Sequence, residues 1–165
     1  MDTVESLRAE ILEIRERFHQ LLARVPVAAY DRPSENPAWS IGQVLYHMSI
    51  APRLLIADVR MITRQSGLAK FVIDVFPDRL FHLLNERLTR FGARKLSPEY
   101  LQSEYDRATE TTLKALEQVK DVDFSMSLNY PDWDPMLSGV VTLEDLFHYV
   151  KRHFEAHEAE IEGLI

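Results

Sequence analysis

The chain has 165 residues, 19 Lys and Arg against 26 Asp and Glu, a formal charge of -7, and no cysteine. The missing thiols exclude a disulfide framework, a thiol nucleophile and a cysteine-ligated metal, and a chain this long buries roughly 68–70% of its unfolded surface without staples. Its acidity repels a phosphate backbone, so no nucleic-acid partner is expected; the short basic stretch RLTRFGARK, Arg87 to Lys95, reads as a solvated helix end.

The first segment, MDTVESLRAEILEIRERF, is amphipathic and charged, with no apolar run before a small-residue cleavage site, so it is not read as a secretory signal. Val4, Leu7, Ile11, Ile14, Phe18, Leu21, Leu22 and Val25 recur at helical spacing and predict a first helix that ends near Pro26. Tyr30 to Trp39 holds Pro33 and Pro37 and reads as a loop. Ser40 with Gln43 forms a capping box for a second helix, and Trp39 and Val44 form a hydrophobic staple. Pro52 interrupts that helix's stripe and predicts a kink; the helix fades between Thr63 and Gly67.

Asp78 to Arg90 has helical periodicity through Leu80, Leu83, Leu84 and Leu88 and predicts an extra helix, while Phe71 to Phe76 fits either an extended or a helical form. Ser97-Pro98-Glu99 starts the third bundle helix, with Leu101, Tyr105, Ala108, Thr112, Leu116 and Val119 on its inner face. Residues 121–140, with Pro131, Pro135 and Gly139, are expected to be a loop. Thr142 with Asp145 caps the last helix, with Val141 and Leu146 as its staple. Four long amphipathic helices and no strand pattern predict one all-α domain over residues 1–165, a four-helix bundle with an extra helical segment around 78–90. No stretch approaches the ~18 apolar residues of a membrane span, and the lack of cysteine suits a cytoplasmic location.

Six histidines are present. His153 and His157 are four residues apart, so on one helix their side chains lie about 40° apart on one face. Such a pair can place two imidazole nitrogens on one metal. Glu160 shares the stripe, as a fourth ligand or as a partner that fixes an imidazole tautomer. His148 points roughly 140° away and is a weaker candidate. Leu146, Tyr149, Val150 and Ile161 keep the pair near the bundle interior, where two unpartnered imidazoles are costly to desolvate. His47, beside Val44 on the second helix, supplies a third imidazole if the two helices face each other. Three protein ligands leave the open position of a catalytic-type site.

At these residues the chain resembles the DinB-like superfamily. NPAWSIGQVLYHMS is similar to that family's second-helix motif, where Trp-Ser precedes a helix with one ligand histidine. GVVTLEDLFHYVKRHFEAHEAEI is similar to its last helix, which ends in His-x-x-x-His. The chain departs from the common pattern in Glu158-Ala159-Glu160-Ile161 after the second histidine, and in a longer segment over 68–96. The resemblance implies an up-down-down-up bundle, often a homodimer, with a Zn or Ni ion on His47, His153 and His157. It further implies S-transfer with a low-molecular-weight thiol cosubstrate, and hydrolysis of a small molecule is the neighbouring expectation. The competing expectation is a non-catalytic metal- or ligand-binding module acting through dimerisation. A helical scaffold with its three imidazoles far apart is the third. Arg53 or Arg152 could meet an anionic substrate, and Tyr46 and Trp133 could line a pocket, though ordinary surface and packing roles are the plainer expectation for all four.

Overall fold

A computed structural model describes residues 3–64, 78–94, 96–134 and 136–165. Among the described residues five helices carry the fold: α1 (Thr3–Arg24), α2 (Ile41–Arg64), α3 (Asp78–Gly92), α4 (Pro98–Leu116) and α5 (Leu143–Glu162). A short antiparallel hairpin, β1 (Ser127–Asp134) and β2 (Leu137–Thr142), precedes α5.

Side-chain pairs between the long helices set their directions. Arg8 meets Glu117 and Arg15 meets Asp106, so α4 runs antiparallel to α1. Glu10 meets His148, Arg17 meets Glu155 and Arg24 meets Glu162, so α5 runs parallel to α1. Tyr46 stacks on Tyr100 and Arg53 meets Glu104, so α2 runs parallel to α4. The bundle is therefore up-down-down-up, with α2 and α5 as antiparallel neighbours. This is the architecture expected from the periodicity and the resemblance, with α3 as the extra helix.

The buried stripes form two core clusters, one towards each end. Phe18, Leu45, Met48, Leu101, Tyr105 and Phe154 belong to the first. Leu7, Leu55, Leu116, Leu146, Tyr149 and Val150 belong to the second. Phe18 and Tyr105 stack with ring centroids 4.1 Å apart. The predicted inner face of α4, Leu101 through Val119, is buried throughout. The C-terminus of α3 closes on α2 at Gly92, where a Cβ would stand 2.0 Å from the Tyr46 hydroxyl. Any side chain at this position would have to displace the Tyr46 ring.

The caps form as the sequence predicts. The Ser40 amide donates to Gln43 Oε1 at 2.9 Å, and the Tyr100 amide donates to Ser97 Oγ at 3.2 Å. At α5, the Asp145 amide donates to Thr142 Oγ1 at 3.0 Å and the Thr142 amide donates to Asp145 Oδ2 at 3.1 Å. Thr142→Ala removes half of this reciprocal pair and is expected to cost about 1 kcal/mol, read as a lower urea midpoint with an unchanged slope. An unmoved midpoint would show that the hairpin, not the cap, starts α5.

The helix α2 is continuous through Pro52 from Ile41 to Arg64. Residues 121–140 are not a plain loop: a 3-10 turn at Asp121–Asp123 leads into the hairpin. The strands were hidden by their own irregularity. Pairing runs from Ser127↔Thr142 to Tyr130↔Gly139, then breaks before Asp134↔Leu137. Pro131, which has no amide hydrogen to give a ladder, sits in that break. Gly139 takes φ +71 opposite Tyr130, a conformation that only glycine adopts freely. Tyr130 and Val141 point inward and extend the second core cluster. The Phe71–Phe76 segment and the last residues of the predicted fade after Thr63, 65–67, lie outside the described residues.

Candidate metal centre

The antiparallel contact of α2 with α5 brings His47 opposite His153 and His157. The Ser40 cap sets the phase of α2, so that His47 falls on the same face as the buried Val44 and Ala51. On α5 the Thr142 cap does the same for His153, which follows the buried Tyr149 by one turn. Both histidines are deeply buried, at 8% and 5% exposure. His157, one turn further, keeps 19% of its side chain exposed.

The three rings converge. Centroids are 4.8 Å apart for His47–His153, 4.7 Å for His153–His157 and 5.2 Å for His47–His157. One donor atom from each lies within 4.8 Å of the others. His47 Nε2 and His153 Nε2 stand 2.8 Å apart. Two nitrogens on a tetrahedral ion sit about 3.3 Å apart, from metal–nitrogen bonds of about 2.0–2.1 Å. The pair is thus already near the edge length that a shared ion requires.

Electrostatics suit a neutral donor set. Burial, and then the neighbouring His157, push His47 down to about 3. Burial and the two neighbouring imidazoles push His153 well below the ordinary histidine value. Both are therefore unprotonated at neutral pH, with nitrogen lone pairs available. His47 Nδ1 is buried without a hydrogen-bond partner. Two buried neutral imidazoles and a third, partly exposed one beside them fit a divalent ion.

Glu160 lies beside the cluster. Its Oε2 is 2.9 Å from Nδ1 of His157, the nitrogen turned away from the cluster. Its Oε1 accepts from the Glu35 amide at 3.2 Å. The His157 hydrogen bond holds the Glu160 carboxyl below its usual range, against an opposing push from burial. The three histidines form a donor cluster without it. Trp39 walls the cluster on the α2 side, its ring 4.7 Å from that of His47. Beside His153, a cavity of about 10 Å³ between Met48, Pro52, Tyr149 and Phe154 has room for about one water.

The other candidates are engaged elsewhere. His148 bonds Glu10 at 2.9 Å and His19 bonds Asp106 at 2.9 Å. Arg53 pairs with Glu104 at 3.7 Å, and Arg152 donates to the Asp145 carbonyl at 3.1 Å. Tyr46 packs against Tyr100 and Gly92, away from the cluster. The Trp133 side chain and that of His82 lie outside the described residues. Sequence reasoning missed the Glu35 amide and cast Trp39 only as a staple. A backbone amide 125 positions from its carboxylate leaves no sequence signal.

Among the described residues, no helix is long and apolar enough to cross a membrane. A comparison with curated proteins finds no match. The family model described as the DinB superfamily matches residues 10–161, a span that includes both helices of the histidine cluster. With that match over nearly the whole chain, an up-down-down-up bundle and three converging histidines, the chain belongs to the DinB superfamily.

Proposed function

We propose that the chain is a divalent-metal-dependent enzyme, with Zn or Ni held by His47, His153 and His157, that acts on a small molecule by thiol S-transfer or hydrolysis. One observation carries this reading. The three imidazoles converge, while the nearby carboxylate of Glu160 turns to the outer nitrogen of His157 and adds no fourth donor. A three-donor set leaves positions for water or substrate, whereas a set closed by a protein carboxylate reads as structural.

A bound divalent ion supplies Lewis acidity and lowers the pKa of a water or thiol. The residues of the chain prepare for it. Burial keeps His47 and His153 neutral, Glu160 orients His157, and Trp39 shields His47 from solvent. The absence of cysteine means that a thiol in the reaction comes from a cosubstrate. A homodimer belongs to this reading through the resemblance alone.

The test is the Co2+-loaded protein. Its visible spectrum is expected to change on titration with a low-molecular-weight thiol or a small anion, because an exchangeable position admits them. A spectrum that ignores both would favour the alternative, a non-catalytic metal-binding module with a sealed site.

A further inference from the structure

Glu160 occupies a position that helix electrostatics disfavours. It lies in the last turn of α5, where the negative end of the macrodipole repels a carboxylate. Its acidic neighbours are compensated: Glu155 and Glu158 meet Arg17, and Glu162 meets Arg24. Among the described residues Glu160 forms no ion pair with Lys or Arg. Its partners are the ring of His157, the Glu35 amide and the Ser34 side chain of the same loop.

The amide belongs to a loop with its own internal order. Pro33 bridges Ser40. The Ser34 amide donates to the Trp39 carbonyl at 3.2 Å, the Trp39 amide to the Asn36 carbonyl at 3.0 Å, and the Ala38 amide to Asn36 Oδ1 at 2.9 Å. A segment tied this way moves as a unit. It reaches the histidine cluster twice, through the Glu35–Glu160–His157 relay and through the Trp39 ring on His47. Arg90 of α3 grips its outer side by donating to the Ala38 carbonyl at 3.0 Å.

We propose that Glu160 is a positioning residue that couples occupancy of the three-histidine site to the seating of the Pro33–Ser40 loop; this rests on the metal reading above. The coupling is carried by the strength of one hydrogen bond. The Nδ1 side of His157 faces Glu160 Oε2, and the carboxylate offers its other oxygen to the Glu35 amide. An ion held by the ring would polarise it and make Nδ1–H a stronger donor, fixing the carboxylate in the rotamer that holds the loop. Without an ion the carboxylate accepts an ordinary, weaker hydrogen bond, Glu160 is held less firmly, and the loop's attachment through Glu35 loosens. Binding linkage makes the effect reciprocal: a seated loop raises the affinity for the ion by the factor with which the ion seats the loop.

The experiment compares wild type, Glu160→Gln and Glu160→Ala. Zn2+ affinity is measured by competition with a chromogenic chelator, and amide hydrogen exchange is followed over residues 33–40 with and without saturating Zn2+. In wild type, Zn2+ is expected to slow exchange of the loop roughly tenfold. Glu160→Ala is expected to bind Zn2+ ten- to a hundredfold more weakly, with loop exchange the same in loaded and metal-free protein. Glu160→Gln has one acceptor oxygen where the carboxylate has two, so it keeps one of the two bonds and falls between; as a near-isostere it also answers the question if the alanine variant does not fold. The coupling is overturned if wild type binds Zn2+ tightly with no change in loop exchange, or if Glu160→Ala binds it as tightly as wild type. Wild type that binds no Zn2+ overturns the metal reading itself and this inference with it.

Discussion

His153→Ala is expected to lose more than about a hundredfold in metal affinity, beyond the ten- to hundredfold that outer-shell substitutions cost. His153 is the centre of the cluster, with its ring within 4.8 Å of both partners and only 5% of its surface exposed. Its removal leaves His47 and His157 with centroids 5.2 Å apart and no donor between them. The consequence for stability follows from mass action. An ion that binds only the folded chain stabilises it by about 2.7 kcal/mol at a free concentration a hundredfold above Kd. For a chain of this size that raises the melting temperature by about 5–10 °C.

The variant separates two contributions. Without metal, loss of the imbedded imidazole removes packing and the Nε2–Nε2 contact of 2.8 Å, at a cost of about 1–3 kcal/mol. With metal, the wild-type increment in melting temperature disappears. Equal thermal shifts on adding Zn2+ to wild type and His153→Ala would place the ion elsewhere.

Acid is expected to unfold the metal-free protein well before its carboxylates are all protonated. The folded chain holds His47 neutral down to about 3, and His153 moves the same way. In the unfolded chain both titrate near 6.5. Between those values the unfolded state binds protons that the folded state refuses. Stability therefore falls as pH drops below about 6.5, by on the order of 5 kcal/mol for His47 alone once pH reaches about 3.

One group opposes this. Burial raises the Asp58 carboxyl to about 6, the Tyr130 hydroxyl pulling it back part of the way. Here the folded state keeps a proton that the unfolded state releases, so lowering pH through that window favours folding, by on the order of 3 kcal/mol. Two imidazoles outweigh one carboxyl. Urea midpoints of metal-free protein are expected to fall between pH 7 and pH 4.5, and Asp58→Asn to make the fall steeper. A flat profile over that range would mean that the imidazoles are wetter than their burial implies. Added Zn2+ should steepen the loss in wild type, because protons and metal compete for the same nitrogens.

The helices were legible because each one repeats a short local rule. The α1 stripe from Val4 to Val25, the Ser40–Gln43 and Thr142–Asp145 boxes, and the Ser97-Pro98 start are all read within a few residues. The hairpin was not legible. Its eight-residue first strand carries Pro131 at a break in register, and its pairing with Leu137–Thr142 is worth little without the second core cluster that receives Tyr130 and Val141. Two of the three clustered histidines were local too: the spacing of His153 and His157 placed both on one helical face before any fold was known.

The sequence by itself determined the helical periods and the caps that set their phases, since these depend on residues within a turn or two of one another, and its composition excluded any thiol. Only the tertiary structure decided that α2 lies antiparallel to α5, that His47 therefore meets His153 at 2.8 Å, and that Glu160 turns outward to His157 and the Glu35 amide. The His47–His153 and Glu35–Glu160 contacts span more than a hundred positions of chain. They are chosen by how four apolar stripes bury one another, and packing between distant segments leaves no mark on the local order of residues.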